Sequence, residues 1–178
     1  MEGLQQKLSG PSAPLPDFCK DLSSDSWYEI EDFDLNQSEP GKLTFSVDDE
    51  KASDKRAVKV PGDQHAWAIT CVLPYSDQAL TPTGEAKEIP KYRLYAAVRC
   101  DAKEGVDGTA MTTGVCAHGR DILIKPVSVA DIRGAEYRWI DVGAVTLLQH
   151  SYIWFAPPGR PGEVDSVYID RIVVVRER

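Results

Sequence analysis

Apolar and β-branched residues recur along the chain in short bursts separated by Gly, Pro, Asp and Ser, a pattern of strands and turns rather than helices. It predicts strands over Trp27 to Phe33, Leu43 to Val47, Ala57 to Val60, Ala66 to Leu73, Lys91 to Arg99, Thr109 to Val115, Ile122 to Val129, Tyr137 to Val142, Val145 to Leu148, Tyr152 to Phe155 and Ser166 to Arg176. Turn residues fall between them, among them Pro40-Gly41, Pro61-Gly62, Val106-Asp107-Gly108, His118-Gly119 and Pro157-Pro158-Gly159. No stretch sustains a 3.6-residue period, and Ser128 to Glu136 has room for one short helical turn. So many closely spaced strands predict an all-β fold, an antiparallel β-sandwich or jelly roll whose first and last strands lie side by side.

One residue breaks the last apolar run. Asp170 stands inside Val167-Tyr168-Ile169-Asp170-Arg171-Ile172-Val173-Val174-Val175, and a carboxylate in such a strand is costly to bury unless something pairs with its charge. Strand alternation sets it on the face of Tyr168, Ile172 and Val174, and sets Glu29 and Glu31 together on one face of the first strand. If the terminal strands pair, three carboxylates converge. Oxygen donors gathered in this way suit calcium, whereas zinc would want nitrogen or sulfur and the three histidines are scattered. The alternative is plainer: Glu29 and Glu31 lie on a solvated face, and Asp170 pairs with Arg171 or a nearby lysine.

At 178 residues the chain is long enough to bury one core without disulfide staples. Residues 1–24, with Ser9-Gly10-Pro11-Ser12-Ala13-Pro14-Leu15-Pro16, read as a linker or remnant, leaving 25–178 as a single module cut from a longer polypeptide. The N-terminus lacks the basic head and apolar core of a secretory signal. A net charge of -8 without a basic stripe argues against nucleic acid, and no apolar run approaches the ~20 residues that a membrane-spanning helix needs. Cys19, Cys71, Cys100 and Cys116 show no Cys-x-x-Cys spacing. Cys71 and Cys100 fit buried free thiols, and the disulfide state stays open.

Tyr28-Glu29-Ile30-Glu31-Asp32-Phe33 resembles the opening Glu-x-Glu strand of carbohydrate-binding modules of families six, thirty-five and thirty-six. Asp54-Lys55-Arg56-Ala57-Val58 and Asp63-Gln64-His65-Ala66-Trp67 are similar to their glycine-rich turn, valine strand and Gly-Asp-Trp segment. Tyr168-Ile169-Asp170-Arg171-Ile172 resembles their closing strand. The resemblance implies a galactose-binding-domain-like sandwich, with a structural calcium held by Glu29, Glu31 and Asp170 and by main-chain oxygens near Lys55 or Arg56. Two departures bear on it. The paired glycines before Val58 are absent, and Tyr168 stands where sugar-binding members often carry asparagine.

Sugar rings stack on aromatic planes while polar groups hold their hydroxyls, so loop aromatics and polar turns are the ligand candidates. These are Tyr75, Trp67, His65 and Tyr137, with His118 and Arg120 from the turn His118-Gly119-Arg120-Asp121. Trp139 and Trp154 lie in strand-like stretches and fit core packing better. The expected role is a non-catalytic accessory module that binds polysaccharide or oligosaccharide for a secreted, glycan-active protein, extracellular or periplasmic. The alternatives are a structural or protein-contact sandwich and, more remotely, a glycoside-active enzyme, which would need two carboxylates across a cleft.

Overall fold

In the computed structural model, which describes residues 16–22, 27–30, 34–35, 45–64, 69–73 and 90–177, the strand pattern closes into two antiparallel sheets. For 27–30, 34–35 and residue 45 it describes the backbone alone. The strands are β1 (Trp27–Ile30), β2 (Asp34–Leu35), β3 (Phe45–Asp48), β4 (Arg56–Pro61), β5 (Ile69–Val72), β6 (Lys91–Ala102), β7 (Thr109–Ala117), β8 (Arg120–Ser128), β9 (Arg138–Thr146), β10 (Tyr152–Ala156) and β11 (Val164–Arg176). One sheet runs β3-β4-β11-β6-β9 with β1 also paired to β11; the other runs β2-β5-β10-β7-β8. The expected all-β sandwich is the fold.

Alternation explains the core. From the first sheet Val58, Val60, Leu94, Ala96, Val98, Ile169, Ile172 and Val174 point inward, and from the second Ile69, Cys71, Val115, Ile153 and Phe155 meet them. The predicted helical turn is α1 (Val129–Ile132), with the Ser128 hydroxyl capping the Asp131 amide. The two strands expected over Tyr137 to Val142 and Val145 to Leu148 join as β9, because Gly143 adopts a φ of 135° and lets the strand continue through an irregularity against β6. All four cysteines are buried.

β11 organises the first sheet. One edge pairs with β6 almost throughout, while the other pairs with β4 over Ser166–Ile169 and then with β1 over Ile172–Val175. β4 and β1 therefore lie end to end along one strand, and the first and last strands do pair. The register of β11 against β6 slips between Ile169 and Arg171, so Asp170 is the extra residue of a β-bulge. That bulge corrects the expected face. Val167 and Ile169 point into the core before it and Ile172 and Val174 after it, so Asp170 does not share a face with Ile172 and Val174.

In the second sheet Gly114 stands opposite both Trp154 and Ile124. A Cβ there would lie 2.3 Å from the Leu123 carbonyl oxygen and 2.7 Å from the Trp154 ring, whose Nε1 donates to Asp121 at 2.9 Å. Gly114→Ala is therefore expected to cost about 1–3 kcal/mol by overpacking, lowering the melting temperature by several degrees in a thermal scan.

Candidate functional site

Asp170 sits in the break between β4 and β1, nearly buried. The loop from β3 to β4 closes over it through hydrogen bonds from the Ala52 amide to the Asp49 carbonyl and from the Lys55 amide to the Ala52 carbonyl. Lys55 takes a φ of 66°, the left-handed conformation for which the resembling modules use glycine. The loop presents Ser53, whose amide and hydroxyl both donate to Asp170 Oδ1, at 3.1 and 2.7 Å. Arg171 Nε lies 3.9 Å from Oδ2, and its guanidinium also rests 5.1 Å from the centre of the Trp139 ring. Burial pushes the Asp170 carboxyl above its usual range, and the Ser53 hydrogen bonds and the Arg171 charge offset this only in part.

The partner expected for the plainer alternative, Arg171, is thus present. On β1, Glu29 stands opposite Val173 and Ile30 opposite Ile172, so the strand runs towards Asp170. The side chain of Glu29 and all of Glu31 lie outside the described residues. Among the described residues no three His, Cys, Asp or Glu side chains gather as a metal site. The described groups around the Asp170 carboxylate are the Ser53 amide and hydroxyl and the Arg171 guanidinium, so the further oxygen ligands that calcium requires would have to come from Glu29, Glu31 and main-chain carbonyls.

Next to this node on the outer face of the sheet lies a cluster built around Arg99. Leu94, Ala96 and Val98 point inward, so Tyr95, Ala97 and Arg99 point outward, and Tyr168 pairs across from Arg99. The Arg99 guanidinium lies 3.6 Å from the centre of the Tyr168 ring and donates to Asp49 Oδ2 through Nε and Nη2, at 3.1 and 2.8 Å, and to Asp101 through Nη1. The Tyr137 hydroxyl donates to the same Asp49 oxygen at 2.7 Å. The side chains of Arg99 and Asp49 are only 12% and 9% exposed, so this is a buried and fully engaged ion pair. Burial works against charge on Asp49, but the donors from Tyr137, Arg99 and the Lys51 amide outweigh it and hold the carboxyl below its usual value. Burial first, and then donation to Asp49, keep the Tyr137 phenol protonated well above its usual value.

Beside Arg99 opens a groove of about 320 Å³, lined by Lys51, Arg99, Asp101, Arg133 and Asp165 and floored by the backbone of 100–102 and 134–135. Lys51 bridges to Glu136 at 2.5 Å, and Arg133 Nη2 donates to the carbonyls of Lys103 and Val106. Three cations and two carboxylates line the groove, so it offers donors and acceptors together and suits a neutral, hydroxyl-rich ligand better than a bare ion.

Of the expected ligand residues, Tyr137 falls into this cluster. His118 and Arg120 lie exposed at the β7–β8 hairpin of the other sheet, where His118 and Gly119 both have positive φ. Tyr75, Trp67 and His65 lie outside the described residues. Sequence reasoning missed Asp49, Arg99, Asp101 and Ser53. Arg99 carried a usable signal, because it is a charge at the end of an apolar strand, as Asp170 is in another.

No family model matches the chain, and neither does any curated protein. Solved structures do resemble it. The GH26-CBM35 β-(1,4)-mannanase of Podospora anserina matches over 86% of this chain with a TM-score of 0.52 and 14% identity. The chain spans 28% of that protein's length. The CBM22-1 xylan-binding domain of Paenibacillus barcinonensis Xyn10C matches over 86% of this chain and 87% of its own, at a TM-score of 0.48 and 9% identity. At such identity the mannanase likeness shows a shared fold alone.

Proposed function

We propose that this chain is a non-catalytic carbohydrate-binding module, an accessory domain of a larger glycan-active protein that works outside the cell or in the periplasm. The observation that carries it is the open groove lined by Lys51, Arg99, Asp101, Arg133 and Asp165 beside the Tyr137–Asp49–Arg99 cluster. Such a rim can hold sugar hydroxyls in both directions, as donor and as acceptor. The fold shared with a mannanase that bears a CBM35 module supports the same role. We read the groove as a binding rather than a catalytic site, because the carboxylates beside it are engaged: Asp49 accepts from Tyr137 and Arg99, and Asp101 pairs with Arg99.

We further propose a structural calcium that joins β1 to β11, with Asp170, Glu29 and Glu31 as its acid ligands. When bound, the ion supplies positive charge to buried Asp170, whose cationic neighbour among the described residues is Arg171 at 3.9 Å. Ser53 fixes the orientation of the Asp170 carboxylate.

Affinity electrophoresis and calorimetry against plant and microbial glycans test the binding role. Retention by at least one glycan, weakened tenfold or more by Asp101→Ala with Arg133→Ala, is the expected result. No retention by any glycan leaves the fold and removes the role.

A protein-contact domain is the second possibility, favoured by one observation. Ile122 and Ile124 are 42% and 57% exposed on β8, an edge strand of the second sheet, and such apolar exposure suits a protein surface.

A further inference from the structure

Residues 16–22 form a turn built on the 3₁₀ helix Asp17–Cys19, and this turn lies on the outer face of the first sheet. Phe18 stacks on Tyr95 with ring centres 4.2 Å apart and planes inclined by 27°, and meets Trp139 edge-on at 5.4 Å. Tyr95 projects from β6 and Trp139 from the neighbouring β9, so Phe18 covers the Tyr95 face while the Trp139 ring stands steeply to it as a wall. Polar groups border it. Arg93 bonds Asp141 and Glu177, each at 2.8 Å, and Arg171 rests against the far side of Trp139.

The covering segment is held differently from the strands. The backbone hydrogen bonds of 16–22 to other described residues all close within the segment: Cys19 N to Pro16 O, Lys20 N to Asp17 O and Leu22 N to Cys19 O. Side-chain contacts seat it, chiefly the Phe18 ring and buried Cys19. A segment whose backbone hydrogen bonds to described residues are all local can leave without breaking the sheet ladder.

We propose that residues 16–22 are an intramolecular strap, and that the Tyr95 face, walled on one side by Trp139, is a stacking site for a pyranose ring, which Phe18 occupies until ligand displaces it. This rests on the carbohydrate-binding role above, but it assigns a site on a different part of the sheet from the Arg99 groove. The flat apolar face of a pyranose is the ligand surface that matches what the Phe18 ring now covers, and the Asp141 and Arg93 groups stand where ring hydroxyls would reach. Strap and sugar then compete, and the apparent affinity of the site falls by the fraction of molecules with the strap seated.

The test uses the full chain, with soluble β-1,4-linked mannan and xylan oligosaccharides as probes, in calorimetry and tryptophan fluorescence. Phe18→Ala is expected to tighten binding by roughly tenfold. Phe18→Leu, which keeps the segment apolar but removes the stack, should shift affinity in the same direction and guards against loss of folding. Adding Tyr95→Leu to either variant should abolish the gain. Equal affinity in the wild type and both Phe18 variants, with glycan still retained, overturns the strap while the module role stands. If neither the wild type nor the variants bind any probe, both are overturned.

Discussion

Arg99→Ala is expected to lower the melting temperature by roughly 10 °C, the scale of removing one partner of a buried ion pair, about 3–5 kcal/mol, in a domain of this size. The loss is large because one guanidinium serves three neighbours. It stacks on Tyr168, satisfies Asp49 through two nitrogens, and reaches Asp101. Without it the Asp49 carboxylate stays buried with only Tyr137 and the Lys51 amide as donors. Arg99→Lys should recover part of the loss, since an ammonium keeps the charge but neither the fork nor the planar stack. The same cluster sets an acid limb. Asp49 is held below its unfolded pKa, so its stabilising contribution is fully present above that unfolded value and disappears as pH falls through the lower folded one. Asp49→Asn should therefore reduce stability at neutral pH and flatten its fall on acidification. Melting curves taken from pH 7 down to about 2 check both. A melting temperature for Arg99→Ala within a degree of the wild type would show the cluster to be an ornament of the surface.

The two-sheet fold was legible because strand alternation and turn residues are local signals, and they fell close to the observed bounds at β4, β6, β7 and β10. Pairing of the first strand with the last was legible too. What alternation does not carry is a break in its own phase. The bulge at Asp170 reverses which residues of β11 face the core, and nothing in Tyr168-Ile169-Asp170-Arg171 distinguishes a bulged residue from a strand residue with a buried charge. The Arg99 site was hidden for another reason. Asp49, Arg99, Tyr137 and Tyr168 are far apart in sequence and meet only because β6 and β11 are neighbours, with the β3–β4 loop folded over them. Tyr168 was noticed as a missing asparagine, and the structure gives it a role, as the ring under a guanidinium. Phe18 lay within the stretch expected as linker, where only its contacts with Tyr95 and Trp139 mark it out.

Asp170→Ala is the second substitution with a large expected effect, again about 3–5 kcal/mol, because it takes a carboxylate away from buried Arg171 and leaves the Ser53 amide and hydroxyl without their acceptor. It should be more damaging than Glu31→Ala. Asp170→Asn separates the two accounts of the node, since the amide keeps an oxygen for Ser53 but gives up the charge. Without a cation, the folded-state pKa of Asp170 is raised. The folded protein then binds the proton more tightly than the unfolded chain, and stability falls as pH climbs from about 4 through the raised value. Asp170→Asn should remove that fall and be nearly neutral in chelator. With calcium on the carboxylate the sign reverses. The ion holds the group ionised, its folded pKa drops below the unfolded one, and stability is present above about 4 and lost on acidification. A cation bound only by the folded state also raises the melting temperature by mass action, so chelator should lower it in the wild type and leave Asp170→Asn unmoved. The expected result is this second pattern, with calcium restoring the wild-type curve. A melting curve indifferent to chelator, together with stability that declines as pH rises, would assign the node to Ser53 and Arg171 alone and take the metal out of the fold.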